Sequence, residues 1–149
     1  MLSRRYLSET LVGNVQGLLN DEQIIEAEGM DAILELLMNL RTVEFPAIIL
    51  ETRSTGTLQL VEGPVDTYTE SIWVMDVLGR GENEAELYRR TRKLAIGILC
   101  KLLDDYKRGE AMLEGWDYGR ILYMKRAGGQ NARGWEIVLT FQDNIPLLY

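Results

Sequence analysis

The sequence has no histidine. That excludes Ser-His-Asp and Cys-His catalysis, and it removes the commonest general base and the commonest zinc ligand. A metal site would have to be built from carboxylates alone. There is one cysteine, Cys100, so no intrachain disulfide can form. Its place in a helical apolar pattern predicts a small buried residue and fits a reducing compartment. No apolar run approaches the roughly 18–20 residues that cross a bilayer. The opening Met1-Leu-Ser-Arg-Arg-Tyr6 is basic, but Ser8, Glu9, Thr10 and Asn14 break up the next stretch before an apolar region forms, so no signal peptide is expected. Positive charge is also short. The net charge of -7 argues against general nucleic-acid binding. Neither an internal repeat nor a low-complexity linker is visible.

What is present is ordinary globular composition, 46% hydrophobic and 26% charged over 149 residues. This is the size of one domain able to bury its own core. Residues 1–40 read as a helical N-terminal segment, 41–142 as an α+β core and 143–149 as a C-terminal tail. The charge is unevenly placed. Asp21 to Glu35 holds six acidic residues and no basic ones, whereas Arg89 to Lys93 holds four basic residues in five. These are either two solvated helix faces or patches that meet across a repeated head-to-tail contact.

Leu7, Leu11, Val15 and Leu18 recur at helical spacing and predict a first helix over residues 4–19, weakened by Gly13 and Gly17. Residues 22–29 are undecided. Asp31 is the expected N-cap of a second helix through Leu40. Phe45 to Glu51 predicts a strand that opens on Pro46. Ser54 to Thr57 reads as a turn, 57–61 as a half-buried strand and Glu62-Gly-Pro64 as a second turn. Residues 65–69 lead into the central strand, Ser71 to Leu78. There Ile72, Val74 and Leu78 point one way, and Trp73, Met75 and Val77 the other. The second apolar face makes Trp73 and Met75 candidate subunit-interface residues.

The longest helix is predicted from Asn83, an N-cap with Glu86 completing a capping box. Its stripe is Tyr88, Thr91, Ala95, Ile98 and Leu102, widened by Leu87, Leu94 and Leu99, and Gly109 is its natural stop. Arg89, Arg90, Arg92 and Lys93 lie outside the stripe and are the other candidate interface residues. Reversing charge at Arg89, Arg90 and Arg92 is expected to weaken assembly but not folding. Residues 110–119 read as a loop. Arg120 to Arg126 and Trp135 to Gln142 read as a hairpin with a flexible connection over 127–134. The tail is apolar, as Ile145-Pro-Leu-Leu-Tyr149, and a terminus of that kind docks on its own domain or on a neighbour. The fold class expected is α+β: an antiparallel or mixed sheet of four to five strands, one long helix packed on a face, and a helical N-terminal segment.

Three stretches imitate chemistry. Gly79-Arg-Gly81 lies between strand and helix, but Glu82, Glu84 and Glu86 would repel a pyrophosphate. Asp105-Tyr-Lys107 resembles an acidic-x-lysine nuclease element, yet it falls on a helix, where the two side chains do not share a face. Gly128 to Arg133, with Arg126, reads as a mobile basic loop more simply than as an anion site. No catalytic residue, cofactor site or metal site is assigned.

Taken in order, a helical N-terminus, a Phe-Pro strand, a hairpin, a long apolar strand, one long helix and a final hairpin form a recognisable pattern. It resembles the tail-terminator or tail-completion (minor tail) proteins of long-tailed bacteriophages. The residues that carry it are Phe45-Pro-Ala-Ile-Ile-Leu-Glu51, Ile72-Trp-Val-Met-Asp-Val-Leu78, the helix from Glu84 to Leu103, and Gly134-Trp-Glu-Ile-Val-Leu-Thr-Phe141. The resemblance implies a virion structural protein without enzymatic activity. It implies a homo-oligomeric ring, usually hexameric, that caps the tail tube. The ring would contact the tail-tube protein on one side and neck or connector proteins on the other. It would be assembled in the bacterial host cytoplasm, and it would bind neither membrane nor specific nucleic-acid sequence. Two alternatives stand beside it. One is another phage neck, head-completion or baseplate protein. The other is a non-viral cytosolic ligand-binding or regulatory module, with Trp73, Trp116, Tyr118, Tyr123 and Trp135 around a pocket.

Overall fold

A computed structural model describes residues 2–38, 43–60, 63–119, 123–128 and 132–144. The chain opens with helix α1 (Arg4–Leu11), capped by the Ser3 side chain, which accepts from the Tyr6 N–H. The helix stops well short of residue 19. Gly13 and Gly17 take the left-handed backbone (φ +78° and +97°), which ends the helix and turns 12–20 into a loop. That loop still carries Leu18 into the core and Val15 against it. The undecided stretch resolves into a single 3-10 turn, Asp21–Gln23, and strand β1 (Ile24–Ala27). Helix α2 (Gly29–Met38) starts two residues before the expected cap, so Asp31 sits in its first turn. The expected end at Leu40 lies outside the described residues.

Strand β2 (Ala47–Gln59) is continuous through Ser54 to Thr57, where a turn was expected. A register shift between Glu51 and Thr55 absorbs the polar residues as an irregularity within the ladder. Gly63 (φ +105°) turns the chain into strand β3 (Val65–Asp76). Helix α3 (Glu84–Lys107) comes next, with the predicted capping box. The Asn83 side chain accepts from the Glu86 N–H at 2.9 Å, and Glu86 accepts in return from the Asn83 N–H at 3.4 Å. Gly109 (φ +85°) ends it. Strands β4 (Tyr123–Gly128) and β5 (Arg133–Asn144) form the last hairpin. Gly128 pairs with Arg133, so the connection is four residues, shorter than the expected 127–134 loop. The predicted start at Arg120 and the tail 145–149 lie outside the described residues.

The sheet order is β1-β2-β3-β5-β4. β1 runs parallel to β2 and every other pair is antiparallel, so the sheet is mixed and the fold α+β. β5 pairs with β3 along its whole length, from Arg133 opposite Asp76 to Asn144 opposite Val65. Gly134 is required there, since a Cβ would collide with the Val74 carbonyl oxygen.

One face of the sheet is covered along its length and the other at its Asp76 end. On one face Ile48, Leu50, Ile72, Val74, Ile137, Leu139 and Phe141 meet Leu7 and Leu11 of α1 and Ala95, Ile98 and Leu102 of α3. On the other, Ile49, Trp73 and Met75 meet Ile33 of α2, with Ala27 and Ala132. Leu78 does not join Ile72 and Val74. It lies beyond the strand end and is exposed. Cys100 is also exposed, contrary to expectation. Among the described residues no helix is long and apolar enough to cross a membrane.

Candidate functional site

The six candidate interface residues fall into different environments. Trp73 and Met75 are 3% and 0% exposed, beneath α2. The expectation that they face a neighbouring subunit is corrected: the second apolar face of β3 is covered by the chain's own helix. The four basic residues separate because successive positions on a helix point about 100° apart.

Arg90 belongs to the strand-to-helix corner. Its guanidinium pairs with the Asp76 carboxylate, donates to both Glu82 oxygens (2.9 and 2.8 Å), and donates to the Val77 carbonyl at 3.1 Å. Asp76 is 7% exposed, so Arg90 compensates a nearly buried charge. Hydrogen bonding to Arg90 and to the Gly79 N–H holds the Glu82 carboxyl down at about 2, and hydrogen bonds to Glu82 and Asp76 push Arg90 above its usual range. Reversing charge at Arg90 would therefore damage the fold itself, which corrects the expectation that it acts only in assembly. The corner also explains why Gly79-Arg-Gly81 is no phosphate loop. The Glu82 carboxylate already occupies the Gly79 N–H at 3.0 Å, and Gly81 turns the chain at φ +76°.

Arg92 stacks on the Trp135 ring, 4.8 Å from its centroid. Trp135 donates its indole N–H to the Tyr88 carbonyl at 2.9 Å and meets the Tyr88 ring edge-on at 6.1 Å. Arg126 lies 4.4 Å over the other aromatic, Tyr88. This ladder of Arg126, Tyr88, Trp135 and Arg92 ties the hairpin to α3. Sequence reasoning missed it. The Tyr88-to-Arg92 spacing of one helical turn was the available signal, and the partner Trp135 is distant in sequence.

Arg89 and Lys93, also one turn apart, are exposed and have no ion-pair partner among the described residues. Beside them lies a groove of about 500 Å³, between the 13–20 loop, Pro46 and the first half of α3. Val15, Pro46, Leu94 and Gly97 line its apolar wall, and Lys93 with the Arg90–Asp76 pair lines its charged end. The Pro46 side of the wall is fixed by Gln23, 3% exposed, whose amide donates to the Gly17 and Pro46 carbonyls at 3.0 Å each. The Gln23 carbonyl accepts from the Leu19 N–H at 2.7 Å and the Asn20 N–H at 3.1 Å.

The remaining carboxylates of interest are structural. Asp105 accepts from the Tyr6 hydroxyl at 2.7 Å and from Lys101 at 3.0 Å, clamping α1 to the end of α3. Burial pushes the Asp105 carboxyl up, but the Tyr6, Lys101 and Thr10 donors outweigh it and hold the carboxyl below its usual range. Asp104 pairs instead with Arg108 at 3.0 Å. The two acids therefore have different partners, as their helical positions require. Glu70, 5% exposed, is pushed up by burial, partly offset by the Leu2 N–H it accepts at 2.8 Å.

Among the described side chains, Trp73, Trp116, Tyr118 and Trp135 do not converge on one pocket. Trp73 lies under α2, and Trp135 lies on α3 against Tyr88. Trp116 and Tyr118 gather around Tyr106 at the far end of α3, with centroids 5.9 and 4.8 Å from it. Tyr123 opens β4.

The acidic run divides between the two sides of the sheet: Asp21 pairs with Arg4 of α1, on the face that α3 also covers, and three other acids lie on the α2 side. Glu28, Asp31 and Glu35 are exposed on or beside α2, which covers one face, whereas Arg89 and Lys93 are exposed on α3, which covers the other. Known protein families give no match to the chain, and no characterised protein is recognisably similar to it in sequence.

Proposed function

We propose that this protein is a virion structural component of the tail-terminator type. It assembles head to tail into a ring that caps the tail tube and joins it to the neck or connector. One observation carries the proposal: acidic Glu28, Asp31 and Glu35 and basic Arg89 and Lys93 lie on opposite sides of one sheet. A two-fold contact through either patch brings like charges together, whereas a head-to-tail contact brings opposite charges together and closes into a ring if the rotation permits. Further support comes from the resemblance itself and from one long helix on a mixed five-stranded sheet.

The test is light scattering on the size-fractionated protein at low salt, with negative-stain imaging of any large species. Rings that dissociate as salt rises are expected, because exposed charge contacts are screened. The double variant Arg89→Glu, Lys93→Glu should remain folded by circular dichroism and lose the ring. A wild-type chain that stays monomeric at high concentration, or a double variant that assembles normally, refutes the proposal.

A further inference from the structure

We infer that the groove beside α3 is the receptor for the apolar tail of a second copy of this chain, residues Ile145–Tyr149. This deepens the ring proposal and rests on its head-to-tail geometry. The groove is concave, about 500 Å³, and mostly apolar, within the size range of sites that enclose a ligand. Its apolar wall is Val15, Pro46, Leu94 and Gly97. Gln23 fixes the Pro46 side of that wall, through the Pro46 and Gly17 carbonyls. Gly97 leaves room where any other residue would project, for its Cβ would meet only Val15 Cγ1, at 3.6 Å. A sequence able to fill such a groove comes directly after the last described residue, as Ile145-Pro-Leu-Leu-Tyr149.

Geometry decides whose tail it is. The groove reaches Asp76 and Pro46, at the end of the sheet where Asp76 pairs with Arg133. β5 then runs the length of the sheet to Asn144, opposite Val65. Eleven steps of an antiparallel strand cover roughly 37 Å. Even fully stretched, residues 145–149 span at most about 18 Å. That segment cannot return to the Asp76 end of its own chain. A neighbour whose α3 face meets the α2 face of the first chain, turned so that its Asp76 end lies beside the first chain's Val65 end, brings its groove within reach of that tail, and each subunit then both gives a tail and receives one.

Two variants make the test. One ends at Asn144 and keeps the groove; the other, Gly97→Leu, blocks the groove and keeps the tail. Gln16→Trp, at an exposed position lining the same groove, serves where Gly97→Leu fails to fold. Each variant alone should be monomeric by sedimentation velocity. Mixed in equal amounts they should form a one-to-one heterodimer and nothing larger, since only one tail and one groove remain. A labelled peptide of residues 143–149 should bind the truncated chain, and at least tenfold more weakly when Gly97→Leu or Gln16→Trp is added.

If the truncated chain assembles as the wild type does, the tail inference fails while the ring proposal stands. If the variants are monomeric but the mixture gives no heterodimer, or if the peptide binds groove-blocked and open chains alike, the inference is also overturned. Binding of the peptide to a wild-type chain that forms no ring would leave the groove assignment in place and refute the ring.

Discussion

The two faces of the central sheet are built from the same alternating strands and differ in what covers them. The first is covered by α1 and by the 24-residue α3, and it buries Phe141, stacked on Tyr68 at 5.3 Å, with a full layer of isoleucine and leucine. The second is covered by the 10-residue α2, over a small cluster centred on Ile33, Trp73 and Met75. An apolar face on a strand therefore says that something covers it, not whether the cover is the chain itself or a neighbour. Here the neighbour's candidate positions are at the surface of α3, at Arg89 and Lys93.

The contrast predicts unequal costs. Phe141→Ala should lose about 3–5 kcal/mol in chemical denaturation, because the surrounding layer cannot collapse around the cavity. Met75→Ala should cost less, about 2–3 kcal/mol, since a short helix over a small cluster can shift into the space. An equal or larger loss at Met75 would erase the contrast.

The strand-to-helix corner makes the distinction finer. Arg90→Met should cost about 1–3 kcal/mol, below the loss for a fully buried pair because Arg90 is itself half exposed. Arg89→Met, one residue away, should stay within about 0.5 kcal/mol. Equal effects at the two positions would mean that the Asp76–Arg90 pair does not stabilise the fold.

The smallest effects concern acid, and two carboxylates have opposite signs. Glu82 binds its proton less readily when folded, at about 2 against an ordinary 4.5. Its contribution is complete above 4.5 and is lost as pH falls toward 2. In Arg90→Met that acid-dependent loss should flatten, as read from unfolding midpoints across this window. Glu70 binds its proton more readily when folded, because burial raises its carboxyl. Its contribution is present below the ordinary value and is lost as pH rises through the raised one. Glu70→Gln should therefore gain on the wild type from acid toward neutral pH; a gap that does not change with pH would refute the assignment.

Local signals were legible wherever they were complete. The Asn83–Glu86 box, the Thr91-Ala95-Ile98-Leu102 stripe and Gly109 describe α3 almost to the residue. Cys100 has apolar neighbours at 98, 99 and 102, yet it is exposed, because two residues past Ile98 lies on the far side of the helix. Val15 and Leu18 are apolar at the spacing of a longer first helix, yet they reach the core from a loop. Of the candidate interface set, Arg89 and Lys93 have the exposure required. Trp73 and Met75 do not, and Arg90 and Arg92 already have partners in the chain.

The order of amino acids was enough to dictate the α+β class, the long capped helix, the apolar alternation of β3 and the absence of histidine chemistry. Those are properties of one stretch at a time, set by periodicity, caps and composition. It took the folded arrangement to establish that β1 adds in parallel to β2, that α2 packs over Trp73 and Met75 on the second face, and that Arg90 belongs to a corner while Arg89 and Lys93 stay exposed on α3. Each of those depends on which distant residue arrives opposite. The period of a strand or helix records that a side must be covered, and packing alone selects what covers it.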